Sequence, residues 1–160
     1  MAAHPLPYLD AISTLFSSLV GKHVKVVRAS PLLPAKLKGV ASFLDADGKL
    51  AYVAVSDVGF LASTGAALAL IPPAMATEAI RTNSPAASLV DNAYEVLNIS
   101  ASLFNEIPET TLHVKLAKLV VAPPVPPDLL PKVNKPHARL DLDVFVPGYP
   151  DGKLSFLSVD

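Results

Sequence analysis

The sequence predicts an α+β fold, a mixed or antiparallel β-sheet layered with helices in the order α-β-β-β-α-α-β-β-β. Three observations carry this. Leu140, Leu142, Val144 and Val146 alternate with Arg139, Asp141 and Asp143, the period-two signature of a half-buried strand. Asp47-Gly48 lies between two extended runs and marks a hairpin, because glycine tolerates the positive φ such turns demand. Between the two groups of strands the apolar period becomes helical, so the helices form a layer of their own.

Taken in chain order, Pro7 to Val20 places Ile12, Leu15, Phe16 and Leu19 at helical spacing, with Gly21 as the stop. His23 to Ala29 reads as a valine-rich strand. Lys36 to Leu44 and Leu50 to Ser56 are extended runs joined through Asp45-Ala46-Asp47-Gly48. Phe60 to Ile71 is an apolar run of good helix formers, ended by Pro72, which disfavours a helical conformation at the residue before it. A short helix resumes over Ala74 to Thr82 behind Pro73, and Asn83-Ser84-Pro85 breaks it. Ser88 to Glu106 reads as one long helix closed by Ile107-Pro108. Thr111 to Val121 returns to strand character. Ala122 to Pro136 holds six of the sixteen prolines and is expected to be a stiffened loop. Pro150-Asp151-Gly152-Lys153 then turns the chain into a last strand, Leu154 to Val159.

Composition limits the function. A chain of 160 residues that is 51% hydrophobic and 17% charged can bury one sizeable core, so a single domain over residues 1–160 is expected. The net charge of -1 and the scattered lysines give no basic face, which argues against nucleic-acid binding. With no cysteine, disulfides, thiolate catalysis and cysteine-ligated metals are excluded. MAAHPLPYLD has no basic leader region and Asp10 interrupts its apolar run, unlike a secretory signal. The longest uncharged stretch, Val58 to Thr77, is long enough to span a bilayer, but it is rich in small residues and Pro72-Pro73 would break it. It reads as a buried helix, not a membrane span, and the expected setting is cytoplasmic.

The candidate site is on the long helix. An α-helix advances about 100° per residue, so Asp91, Glu95, Asn98, Ser102 and Asn105, spaced 4, 3, 4 and 3, fall within about 80° of its circumference. Tyr94 and Ile99 sit on the shoulders. Ordinary solvated helix faces are dominated by long charged side chains and alanine, which lose little entropy there. This helix carries no lysine or arginine, and its stripe holds two asparagines where helix propensity disfavours them. Glutamate and asparagine three residues apart offer an anion that can pair with a cation and a neutral amide that can orient a water. Neither is a nucleophile–base pair, which argues against covalent catalysis.

Asp91-Asn92-Ala93-Tyr94-Glu95-Val96-Leu97-Asn98 resembles the Asp/Ser-x-x-x-Glu-x-x-Asn signature of the CheC and CheX family of chemotaxis phosphatases. The family signature continues to a proline a little over twenty residues on, where Pro123 and Pro124 stand slightly late. The element order is similar over most of the chain. Two departures distinguish it: Ser102 replaces the glycine frequent at the fourth position after the asparagine, and the Glu–Asn pair occurs once. Near Thr77-Glu78 a second copy would need asparagine where Arg81 stands. The resemblance is therefore to single-site, CheX-like members. It implies dephosphorylation of a phospho-aspartyl, CheY-type response regulator in two-component signalling. Glu95 would pair with the regulator's lysine and Asn98 would orient the attacking water. Asp91, Ser102, Asn105 and Tyr94 would form the surrounding binding surface. The implied Mg²⁺ belongs to the partner regulator, the chain having no cofactor of its own, and a homodimer is implied. The alternative is a non-catalytic binding module on the same fold, docking a response regulator or signalling scaffold through the same helix. The phosphatase reading requires Glu95 and Asn98 to be exposed side by side and clear of the proline-rich loop.

Other patterns carry less. Asp45, Asp47 and Gly48 resemble a calcium loop, but Ser56 stands at the twelfth position, where a glutamate is needed. His4, His23, His113 and His137 show no ligand spacing. There is no glycine-rich phosphate loop. Asn98-Ile99-Ser100 is a glycosylation sequon only formally, and Pro123-Pro124-Val125-Pro126-Pro127 reads as a stiff connection rather than a ligand for an aromatic groove.

Overall fold

The structure, a computed structural model, describes residues 4–159. Helix α1 (Leu9–Val20) ends where Gly21, at φ 70°, donates its N–H to the Ser17 carbonyl at 3.0 Å. Strand β1 (Lys25–Arg28) follows, then a 3₁₀ turn at Pro34–Lys36. The hairpin of β2 (Gly39–Asp45) and β3 (Leu50–Ser56) turns as the sequence predicts. Gly48 has φ 80°, and the Asp45 carboxylate accepts from the N–H groups of Asp47 and Lys49, each at 2.9 Å.

Four helices come next, α2 (Val58–Leu68), α3 (Pro73–Thr82), α4 (Ala87–Ile99) and α5 (Ala101–Asn105). After them come β4 (Val114–Val121), a short α6 (Leu130–Asn134), β5 (Ala138–Phe145) and β6 (Gly152–Ser158). Among the described residues the strands form one antiparallel sheet in the order β1-β5-β6-β3-β2-β4. This is the α+β class and close to the order expected, with four helices rather than two between β3 and β4 and a 3₁₀ turn between β1 and β2. The long helix is interrupted at Ser100, and the proline-rich connection contains a helical turn.

Both faces of the central strands are covered. Ala41, Phe43, Tyr52, Ala54, Leu154 and Phe156 face a core built with Ile12 and Phe16 of α1, Phe60 and Leu61 of α2, Val96 and Leu97 of α4, and Phe104 of α5. Val40, Val53, Val55, Leu157 and Val159, one residue out of phase, face a second cluster. That cluster is closed by Ala122, Val125, Leu129 and Val133, so the proline-rich segment serves as a lid on the far side of the sheet. Its prolines limit the entropy lost in ordering it there.

Helix α2 is the buried axis of the helical layer. Gly59 to Ala67 are all buried, and no helix among the described residues is long and apolar enough to cross a membrane. The Asp57 carboxylate caps α2, accepting from Phe60 N–H at 2.9 Å and from Lys153 N–H of β6 at 3.0 Å. Burial pushes this carboxyl above its ordinary value. Small residues let the helices approach closely, with Ala62 and Ala66 against Ala76, Ala79 and Leu89. The closest approach is at Gly65, where the Leu89 carbonyl of α4 occupies the space a Cβ would need. Asn92 of α4 donates its side-chain N–H to the Gly65 carbonyl at 3.0 Å beside that contact.

Because a backbone carbonyl cannot rotate away as a side chain can, Gly65→Ala is expected to lower the unfolding free energy by about 1–3 kcal/mol. Urea unfolding measures this, and wild-type stability in the variant would contradict the α2–α4 contact.

Candidate functional site

Helix α4 faces the core with Leu89, Ala93, Val96 and Leu97, all buried, which fixes the opposite face outward. Asp91, Glu95 and Asn98 lie on that outward face and are exposed. Among the described residues none of the three side chains has an intramolecular hydrogen bond or ion pair. Glu95 and Asn98, at i and i+3, have Cβ atoms about 5–6 Å apart by helix geometry, so both side chains can reach one group on a partner. The proline-rich segment packs across the far face of the sheet and leaves them uncovered.

The remaining members of the stripe are placed differently. Tyr94 is half-buried against the main core. The helix is interrupted at Ser100, whose hydroxyl donates to the Val96 carbonyl at 2.6 Å, a back-bond that bends helices. Beyond it, Ser102 is half-exposed and lines a groove between α1 and α5. Asn105 turns toward the sheet. Its side-chain oxygen accepts from Val114 N–H at 2.7 Å and its amide donates to the Val114 carbonyl at 3.0 Å. Asn105 thus pairs with both backbone groups of the first residue of β4, in place of a neighbouring strand. Asp91, Glu95 and Asn98 stay together on one face, with Ser102 in the adjoining groove, while the amide of Asn105 is committed to holding the fold.

Phe104 explains how α5 is held. Its ring stacks on Tyr52 at a centroid distance of 4.0 Å and meets Phe43 and Phe156 edge-on at 5.0 and 5.3 Å. The Tyr52 phenol is pushed up to about 12 by burial, and its O–H donates to the Pro5 carbonyl at 2.7 Å. Sequence reading missed the groove residues Asp10 and Glu106. The available signal was that the segments forming α1, α4 and α5 contain aspartate and glutamate but neither lysine nor arginine.

No protein-family model matches the chain, and no curated protein matches its sequence. Solved structures do match. FliM in the FliM–SpeE complex from H. pylori aligns with TM-score 0.67 at 11% identity, over 94% of this chain and 81% of that one. CheX in a complex with CheY, BeF3 and Mg²⁺ from Borrelia burgdorferi aligns with TM-score 0.60 at 11% identity, over 95% of both chains. The chain has the CheX-type fold. FliY of Thermotoga maritima shares it too, at TM-score 0.56 and 14% identity over 95% of this chain and 84% of that one. The resemblance to the CheC and CheX family drawn from the sequence therefore holds at the level of fold.

The stripe residues separate by role in a stability measurement. Asn105→Ala leaves a buried N–H and a carbonyl without partners and is expected to cost about 1–3 kcal/mol. Glu95→Ala and Asn98→Ala, on an exposed face, are expected to stay within about 0.5 kcal/mol of wild type. Thermal unfolding of the three variants gives the comparison.

Proposed function

We propose that the protein is a CheX-like phosphatase of a phospho-aspartyl response regulator, a hydrolase of CheY-type two-component signalling. The observation that carries this reading is that Glu95 and Asn98 stand exposed, adjacent and free of intramolecular partners on a helix whose other face is locked into the core. The Glu95 carboxylate pairs with an ammonium on the regulator and seats the helix over the phospho-aspartate. The Asn98 amide accepts a hydrogen bond from a water and aligns its oxygen with the phosphorus. The water oxygen attacks in line and the bond from phosphorus to the aspartyl oxygen breaks. Its electron pair returns to the aspartate carboxylate, and phosphate leaves with the proton that the water releases. Mg²⁺ in the regulator's own acidic pocket supplies charge neutralisation for the phosphoryl oxygens when bound. The contribution of this chain is positioning, with side chains carried on a packed helix so that little further ordering is needed at reaction. Such a partner places the protein in the cytoplasm.

A non-catalytic binding module is the second reading, compatible with the same fold occurring in FliM structures in complex with SpeE and with FliG. On that reading the same face docks a regulator or signalling scaffold without hydrolysis. Decay of a phosphorylated CheY-type regulator separates the two. Wild-type protein is expected to accelerate decay. Asn98→Ala is expected to slow the accelerated rate about a hundredfold, and Glu95→Ala chiefly to raise the regulator concentration needed. Unchanged rates in both variants overturn the mechanism, and binding without acceleration by the wild type supports the second reading.

The proposal includes a homodimer, supported by the low charge fraction and by the outer edges of β1 and β4, beyond which no further strand pairs among the described residues. Light scattering after size exclusion is expected to give twice the 16.7 kDa chain mass, and a single-chain mass at micromolar concentration overturns the dimer.

A further inference from the structure

Carboxylates outnumber cations on and just after α1, α4 and α5 although the net charge is only -1. The helical side carries Asp10 on α1, Asp91 and Glu95 on α4, and Glu106 directly after α5, with no lysine or arginine in those helices. Cations border this set at Lys22, just past α1, and at Arg28 and Arg139, which line a second depression together with Asp10, while Arg81 of α3 is paired with Glu78 and Lys115 and Lys118 lie on the β4 edge. The ion pairs among the described residues are Arg81–Glu78, Arg139–Asp141 and Lys153–Asp143, so the four helical carboxylates have no cation of their own. An open groove of about 510 Å³ runs between α1 and α5 on this side. Leu15, Leu103 and Ile107 give it an apolar lining, Asp10 and Glu106 supply its charge, and Ser102, four residues beyond Asn98, joins it to the candidate site.

We propose that this groove is the second half of the docking surface. It takes an apolar side chain of the partner protein flanked by lysine or arginine, while Glu95 and Asn98 engage the partner's phosphorylated centre. The inference rests on the proposed function in that its occupant is the same regulator. Two features of the page choose a basic, amphipathic occupant over a neutral one. An apolar lining rewards burial of an aliphatic side chain, and carboxylates with no internal partner attract cations and steer approach more than they add affinity. The same carboxylates continue past the groove onto α4, so one charge pattern serves both contacts.

The test is calorimetric titration with a CheY-type receiver domain activated by beryllofluoride and Mg²⁺, run from 50 to 300 mM NaCl so that screening can be read. Wild-type affinity is expected to fall as salt rises. Asp10→Lys combined with Glu106→Lys is expected to weaken binding about tenfold or more at low salt and to abolish or reverse that salt dependence. The milder pair Asp10→Asn and Glu106→Gln is expected to fall between, and Lys118→Glu on the β4 edge to bind as wild type. Circular dichroism of each variant confirms folding. Unchanged affinity and salt slope in both groove variants overturn the docking inference, even where Asn98→Ala abolishes hydrolysis. A groove effect beside full hydrolysis by Asn98→Ala overturns the phosphatase reading and leaves the docking surface standing. No binding of the receiver by wild type, or loss of self-association as the only effect of the groove variants, overturns the groove's assignment to a regulator.

Discussion

The contact between Gly65 and the Leu89 carbonyl sets where the candidate face of α4 can be. With no side chain at residue 65, α4 lies backbone to backbone against α2, and the Asn92 amide closes the contact by donating to the Gly65 carbonyl. Helix α2 is itself fixed at its start by the Asp57 cap, which reaches both the helix and β6. Position therefore passes from sheet to α2 to α4 through short polar contacts and small residues rather than through long deformable side chains. A face held this way has its azimuth decided, and Ala93, Val96 and Leu97 inward leave Asp91, Glu95 and Asn98 outward.

The stripe divides because a local back-bond at Ser100 and a tertiary closure of Asn105 on Val114 override helical periodicity. Ser100 is fully buried, so its hydroxyl has to find a partner inside the protein, and the Val96 carbonyl four residues back is within reach. The interruption it marks lets α5 be placed by its own needs. These are the aromatic cluster around Phe104 and the closure of Asn105 on Val114. The turn that loses strict periodicity is the one that opens a groove against α1, so the break that spoils a five-residue stripe also adds a second surface beside it.

Much of this was legible from sequence, and the rest failed for identifiable reasons. The β2–β3 turn depends on Asp45 and Gly48 alone, and the stop of α1 on Gly21, so local chemistry sufficed. The alternation in β5 was readable because one face of that strand stays polar, with Asp141 and Asp143 paired to Arg139 and Lys153. The exposure of Asp91, Glu95 and Asn98 followed from periodicity within one helix. The part played by Asn105 did not, because its partner Val114 is fixed by tertiary structure nine residues on. Nor did the covering of the second sheet face. Val125, Leu129 and Val133 are too sparse among prolines to declare an apolar face, and only the valines waiting on β2 and β3 give them one.

The pairing of Glu95 with Asn98 on the exposed face of α4 bears on how, under the proposed function, one surface would both dock and hydrolyse. Docking needs charge and shape over a wide area, and losing one group from it changes affinity by a modest factor. Hydrolysis by positioning needs one water held within a fraction of an ångström, and the asparagine amide is suited to that. It has few rotatable bonds, carries no charge to repel the phosphoryl group, and can accept and donate at once. On the proposed reading the wide requirement falls on the carboxylates of α1 and α4 and on the groove beside α5, and the narrow one on Asn98. The two demands are thus chemically separable on one surface. A chain of this fold could lose the asparagine and remain a competent binding module, whereas losing the carboxylates would leave a well-aimed amide with no partner to act on.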